Sequence, residues 1–255
     1  MIKNLNKEKL LILKGGDREM KKFTSLFSAG IILSTMVGGG LTAFADETTP
    51  EEPTMSVVDT KETPVKAIFE LPENGGENPN VPGDSGNEDN TNNNPDKAFA
   101  IAYQPKKFDF GTVKLQDEGK QTIDSTNTKA FHVGVKDKQR ENIAWSLKAD
   151  LEWTSANKDQ MEGTYIQVDN ASVAVNKEGV LTDPSEATKA GVTGLSSFQI
   201  GSSAISIMDA TAKQRNDVYD MNLGEKVKLV LPNAKNVAAG TYDGKVTWTL
   251  ESAPK

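Results

Sequence analysis

Residues 142–153, NIAWSLKADLEW, alternate in character along their whole length. In an extended chain successive side chains point to opposite faces. Ile143, Trp145, Leu147, Ala149, Leu151 and Trp153 then share one side, with Ala144, Ser146, Lys148, Asp150 and Glu152 on the other. A helical period would scatter these residues around a cylinder, whereas a pleated strand gathers them on one apolar face. Residues 241–254, TYDGKVTWTLESAP, repeat the figure. Tyr242, Gly244, Val246, Trp248 and Leu250 lie opposite Asp243, Lys245, Thr247, Thr249 and Glu251. Both stretches predict half-buried strands, and both carry a Trp-x-Leu motif.

The same period of two recurs elsewhere. Phe131, Val133 and Val135 alternate with His132, Gly134 and Lys136, a pattern that puts His132 on a wet, solvent-exposed face. Val173 and Val175, Phe198 and Ile200, Ile205 and Ile207, and Val227, Leu229 and Leu231 give shorter versions. Turn residues at 117–119, 176–179, 232–233 and 243–244 separate these runs. Helical spacing is confined to 184–190, with Asp183 as N-cap and Gly191 as terminator, and to 209–218. Many short strands without a strand–helix–strand rhythm predict an all-β fold. The expected architecture is a single antiparallel β-sandwich or barrel-like domain with long loops and at most one or two short helices.

The chain has 255 residues, 36% of them hydrophobic, enough for one core of ordinary size. It has no cysteine, which excludes a disulfide framework, a thiolate metal site and a cysteine nucleophile. Residues 1–45 read as a targeting segment: Lys21 and Lys22 precede an apolar run, and Ala43-Phe44-Ala45 supplies a cleavage signal before Asp46. The run is interrupted by Gly38, Gly39 and Gly40, whereas a stable anchor needs about 20 strongly apolar residues. The expectation is a cleaved secretory signal, no membrane insertion afterwards, and a true start at Met20, with residues 1–19 an extension.

Charge is unevenly distributed. Residues 46–97 carry a net −10, but 98–255 only −1. With no basic patch, nucleic acid is not an expected partner. Residues 46–97 form an acidic Pro/Asn-rich linker or loop, and within it 72–97 is almost entirely Pro, Gly, Asn, Asp and Glu. Such a stretch reads as a flexible loop or tether. Just before it, Val65, Ala67, Phe69 and Leu71 alternate with Lys66, Ile68 and Glu70, suggesting a strand at 65–71 of the β-rich domain 98–255, with the acidic stretch then a long excursion between strands.

A tryptophan in the middle of an apolar strand face is ordinarily core, where burial of so large a ring is strongly stabilising. The other reading is an exposed platform on which sugar rings stack. At this point a secretory signal, an acidic Pro/Asn-rich stretch, the FDFG element at 108–111, an internal Trp-Ser-Leu and the terminal TYDGKVTWTLESAP together come into view. In this combination the chain resembles the WxL-domain surface proteins of low-GC Gram-positive bacteria, over roughly residues 55–255. The resemblance implies a secreted, non-enzymatic protein attached non-covalently to the cell wall through peptidoglycan. It also implies partnership with membrane-anchored surface proteins that carry an immunoglobulin-like ectodomain. Carried onto the motif positions, it makes Trp145, Leu147, Trp248 and Leu250 the cell-wall-binding candidates. Trp153 lies outside either motif.

Catalytic readings find little support. His132 is the only histidine, so no histidine pair can hold a metal, and no G-x-S-x-G elbow exists. A wall hydrolase would need two carboxyl groups across a cleft. Candidates such as Asp150 and Glu152 fall on the polar face of a strand. No cofactor, metal site or catalytic residue is expected.

Overall fold

The computed structural model describes residues 59–83 and 88–253; the leader, its cleavage site and Met20 lie outside these. The described residues from Pro64 onward belong to one compact unit. The strands run in order β1 (Asn90–Asn92), β2 (Phe99–Pro105), β3 (Gln121–Asp124), β4 (His132–Asp137), β5 (Ile143–Trp153), β6 (Tyr165–Asp169) and β7 (Ser172–Lys177). They continue with β8 (Val180–Leu181), β9 (Val192–Gly194), β10 (Ser197–Ile200), β11 (Ile205–Lys213), β12 (Asp217–Asn222), β13 (Lys228–Leu231) and β14 (Gly244–Ser252). Among the described residues there is one α-helix, α1 (Pro184–Lys189), which starts as expected, with the Asp183 carboxylate accepting from Ser185 N–H.

Among the described residues three antiparallel sheets result, in the orders β1-β2-β4-β12-β7-β8, β10-β6-β13-β3 and β14-β5-β11-β9. The sequence-based expectation of an antiparallel all-β domain is met. Their apolar faces close on one core, to which the first sheet gives Val133, Val135, Tyr219 and Met221, the second Ile166, Val168, Phe198 and Ile200, and the third Trp145, Leu147, Ala149 and Met208.

Four expectations need correction. Residues 209–218 are not helical: β11 runs to Lys213 and β12 begins at Asp217, because both pair with neighbours in a sheet. A sheet ladder outweighs the weak helical spacing of this stretch. Residues 65–71 form no strand, since no neighbouring strand offers a ladder, and Val65, Ile68 and Phe69 stand 92%, 75% and 91% exposed.

The third correction concerns His132, which is buried rather than wet. Every residue of β4 is buried because both faces of this central strand are covered. On the second face the Tyr103 ring lies across Gly134, where an added Cβ would sit 2.3 Å from the ring.

The cover includes the fourth surprise. The described parts of 72–97, read as a flexible loop or tether, are not free but pack on the sheet. Their anchor is Lys136, whose wholly buried side chain donates from Nζ to Gly76 O (2.7 Å), Asn78 Oδ1 (2.9 Å), Asn74 O (3.1 Å) and Pro95 O (3.4 Å). Asn74, Gly75 and Gly76 all take positive φ, turning the chain around the ammonium. Val81 packs on Ala102, Tyr103 and Val218, and Asn80 O accepts from Asn176 Nδ2. A composition argument counts only the apolar surface a segment can bury. Here carbonyl oxygens serve instead as ligands of a buried cation, which would otherwise be costly to desolvate.

Candidate functional site

The two Trp-x-Leu strands are direct neighbours. β14 pairs with β5 along its whole length, Leu250 opposite Leu147, Trp248 opposite Ala149 and Ser252 opposite Trp145. Opposed residues share a face, so both motifs lie on one side of one sheet, as a single patch two strands wide. Trp145 and Leu147 are buried, while Trp248 and Leu250 are half-buried.

The tryptophans differ in what their indole N–H groups meet. Trp145 Nε1 donates to Asp137 Oδ2 at 2.8 Å, and Trp153 Nε1 to Thr164 Oγ1 at 2.8 Å. The Trp145 ring also packs against Phe99 and Tyr219, with the Arg215 guanidinium 5.9 Å from its centroid. Arg215 Nε donates to the same Asp137 oxygen at 2.6 Å, and its remaining nitrogens reach Thr211 O and Ile143 O. Trp145 thus roofs a buried Arg–Asp pair. Trp248 Nε1 has no acceptor among the described residues, and no buried polar side-chain atom among them lacks a partner, so this N–H reaches solvent. Phe108 of the FDFG element lies edge-on to Trp248, with centroids 6.5 Å apart, and edge-on to Phe131 at 4.8 Å. Asp109 shapes that element by accepting from Gly111 N–H at 2.9 Å.

Among the described residues β14 is also an open edge. Thr154 N–H donates to Asp243 O and Ala253 N–H to Ala144 O, which assigns the odd-numbered backbone groups of β14 to β5. The N–H and C=O groups of Gly244, Val246, Trp248, Leu250 and Ser252 therefore point outward. At nine residues β14 is far longer than the other edge strands, β1, β3, β8, β9 and β10, which have two to four.

The polar face of this sheet is solvated ion pairing. Glu152 lies directly opposite Lys245 with an N–O distance of 2.9 Å, and Lys148 reaches Glu251 at 2.6 Å. Lys245 holds the Glu152 carboxyl below its usual range, the wrong direction for a general acid. An open cleft of about 620 Å³ passes Asp150, Glu152, Trp153 and Thr164. Among the described residues, no group of three or more His, Asp or Glu could hold a metal ion, and no helix is long and apolar enough to cross a membrane.

Sequence reasoning missed a second buried polar group. His132 Nδ1 lies 3.0 Å from Asp220 Oδ1, Tyr103 Oη donates to Asp220 Oδ2 at 2.9 Å, and Asn176 Nδ2 donates to Tyr103 Oη at 2.9 Å. Burial raises the Asp220 carboxyl and lifts the Tyr103 phenol well above its usual value. Each member sits on a different strand, so no local spacing could reveal it. It is closed to solvent and acts as a structural tie.

No curated protein and no solved structure matches the chain. A family model described as "WxL domain surface cell wall-binding" matches residues 45–254. That match spans the paired motif strands, the FDFG element and the anchored acidic segment alike, and the chain belongs to the WxL-domain family of surface cell wall-binding proteins.

Proposed function

We propose that the protein is exported through its N-terminal signal and then holds the Gram-positive cell wall non-covalently, by direct contact with peptidoglycan and without catalysis. Within the motifs, Trp145 and Leu147 hold the sheet, and the half-exposed Trp248 and Leu250 make the contact. The observation that carries this assignment is the solvent-reaching indole N–H of Trp248 beside a half-exposed ring, because such a group can donate to a sugar hydroxyl while the ring face stacks on C–H groups. The near-neutral charge of 98–255 suits neutral polar contact better than electrostatic capture.

Co-sedimentation of the mature chain with purified, protein-free peptidoglycan tests this. Binding is expected to fall at least tenfold in Trp248→Ala while the fold is kept. Unchanged sedimentation of that variant would remove Trp248 as the contact, and failure of the unaltered chain to sediment would remove the peptidoglycan reading. Release of soluble fragments during the assay would favour a hydrolase. A second reading draws on the open edge of β14: docking onto an immunoglobulin-like ectodomain of a membrane-anchored surface protein, by strand addition. It predicts binding to intact cells that is lost on stripped peptidoglycan.

A further inference from the structure

Two features are left unsatisfied by the fold. One is the outer edge of β14, with its row of outward N–H and C=O groups. Exposed edges of this length are ordinarily shortened, charged or covered. The other is the segment 65–71, VKAIFEL, which is strand-patterned and apolar yet stands in solvent with Phe69 91% exposed. Its base is fixed: Pro72 O accepts from Gly75 N–H, and Lys136 and Lys138 clamp residues 74–78 to the sheet. It therefore projects as an arm from an anchored root, and Pro72 leaves that root in an extended conformation, with φ −56 and ψ 150.

We infer that residues 65–71 of one copy add as an antiparallel strand to the open edge of β14 in a second copy. One register satisfies the chemistry on both sides. With Phe69 opposite Trp248, Leu71 faces Val246, Ala67 faces Leu250 and Val65 faces Ser252, which extends the half-exposed apolar row of β14. On the polar face Lys66 meets Glu251, already an ion-pair partner of Lys148, and Ile68 lies over Thr249. In this register the outward backbone groups of residues 246, 248, 250 and 252 meet 71, 69, 67 and 65, none of which is proline. Pro64 and Pro72 fall beyond the ladder, at positions whose amide would point away from β14, where a missing N–H costs nothing. Donor and acceptor are different surfaces, so the contact repeats head to tail and builds rings or open chains.

The inference does not require wall attachment, although the added strand would lie beside Trp248 and Leu250, the proposed wall contacts. Its test is sedimentation velocity of the mature chain over a concentration series, with two variants. Phe69→Asp disables the arm at a fully exposed residue, and Val246→Pro disables the edge at an amide that β5 does not use. The unaltered chain should show a weight-average mass that at least doubles with concentration, and each variant alone should stay monomeric. An equimolar mixture of the two should form a one-to-one dimer and go no further, because only one good arm then meets one good edge. A monomeric parent chain, a Phe69→Asp variant that still associates, or a mixture that stays monomeric would each overturn the inference. Peptidoglycan sedimentation of Phe69→Asp, whose β14 is untouched, reads the wall-binding proposal separately.

Discussion

Replacing Trp145 by Phe isolates the structural work of the first motif. The ring remains large and apolar, but its N–H, which bonds Asp137 Oδ2 at 2.8 Å, is gone. Asp137 is 2% exposed and keeps Arg215 Nε at 2.6 Å, so the carboxylate stays paired but loses one of its two donors. A hydrogen bond to a charged buried acceptor contributes about 1.5–3 kcal/mol. The smaller ring leaves a void worth about 1 kcal/mol more. The sum, about 2.5–4 kcal/mol, is a large part of the stability of an ordinary domain but leaves it folded. For a domain of this size it lowers Tm by roughly 5–16 °C. Trp248→Phe breaks no protein hydrogen bond and should cost only about 1 kcal/mol. Guanidinium unfolding followed by far-ultraviolet circular dichroism, with the denaturant slope unchanged, measures both. If Trp145→Phe stays within about 1 kcal/mol of the parent, or the two variants cost the same, the division between a structural and a surface tryptophan is wrong.

Two further changes probe the buried polar groups. Burial raises the Asp220 carboxyl, so its folded-state pKa lies above the unfolded value of about 3.9. Its contribution to stability is then complete below that value and declines as pH rises through the folded one. The stability of the parent relative to Asp220→Asn should therefore fall as pH rises above about 4, and a constant difference in urea titrations would contradict the assignment. Lys136→Met removes the ammonium that gathers Asn74 O, Gly76 O, Asn78 Oδ1 and Pro95 O. Amide hydrogen exchange should accelerate over 73–80 and 93–97 while β5 and β12 keep their protection. Unchanged exchange in the loop would show that the segment is held by something else.

The strand assignments could be read early because a period of two is a local property. Residues 143–153 and 244–252 announce their faces without knowledge of any partner, and the Asp183 cap marks helix α1 in the same local way. Alternation also placed all four motif side chains on apolar faces. It could not say that the two faces are the same face, with Leu147 against Leu250, because register is set by pairing across about 100 residues of chain. Exposure was likewise beyond it: Trp145 and Trp248 have nearly identical neighbours in sequence, yet one is interior to the sheet and the other on its rim.

What the sequence by itself determined is an antiparallel β domain with two matched Trp-Leu strands, since backbone pleat and hydrophobic alternation are enough for that. Tertiary structure alone decided the fate of the polar residues. His132 and Lys136 fall on the face that alternation reads as wet, but an acidic segment and the Tyr103 ring close over that side, so each finds a partner from a distant strand or loop, while Asp137 on the opposite face pairs with Arg215. Desolvating a charge is costly enough that the partner is built into the fold, and no window of neighbouring residues contains it.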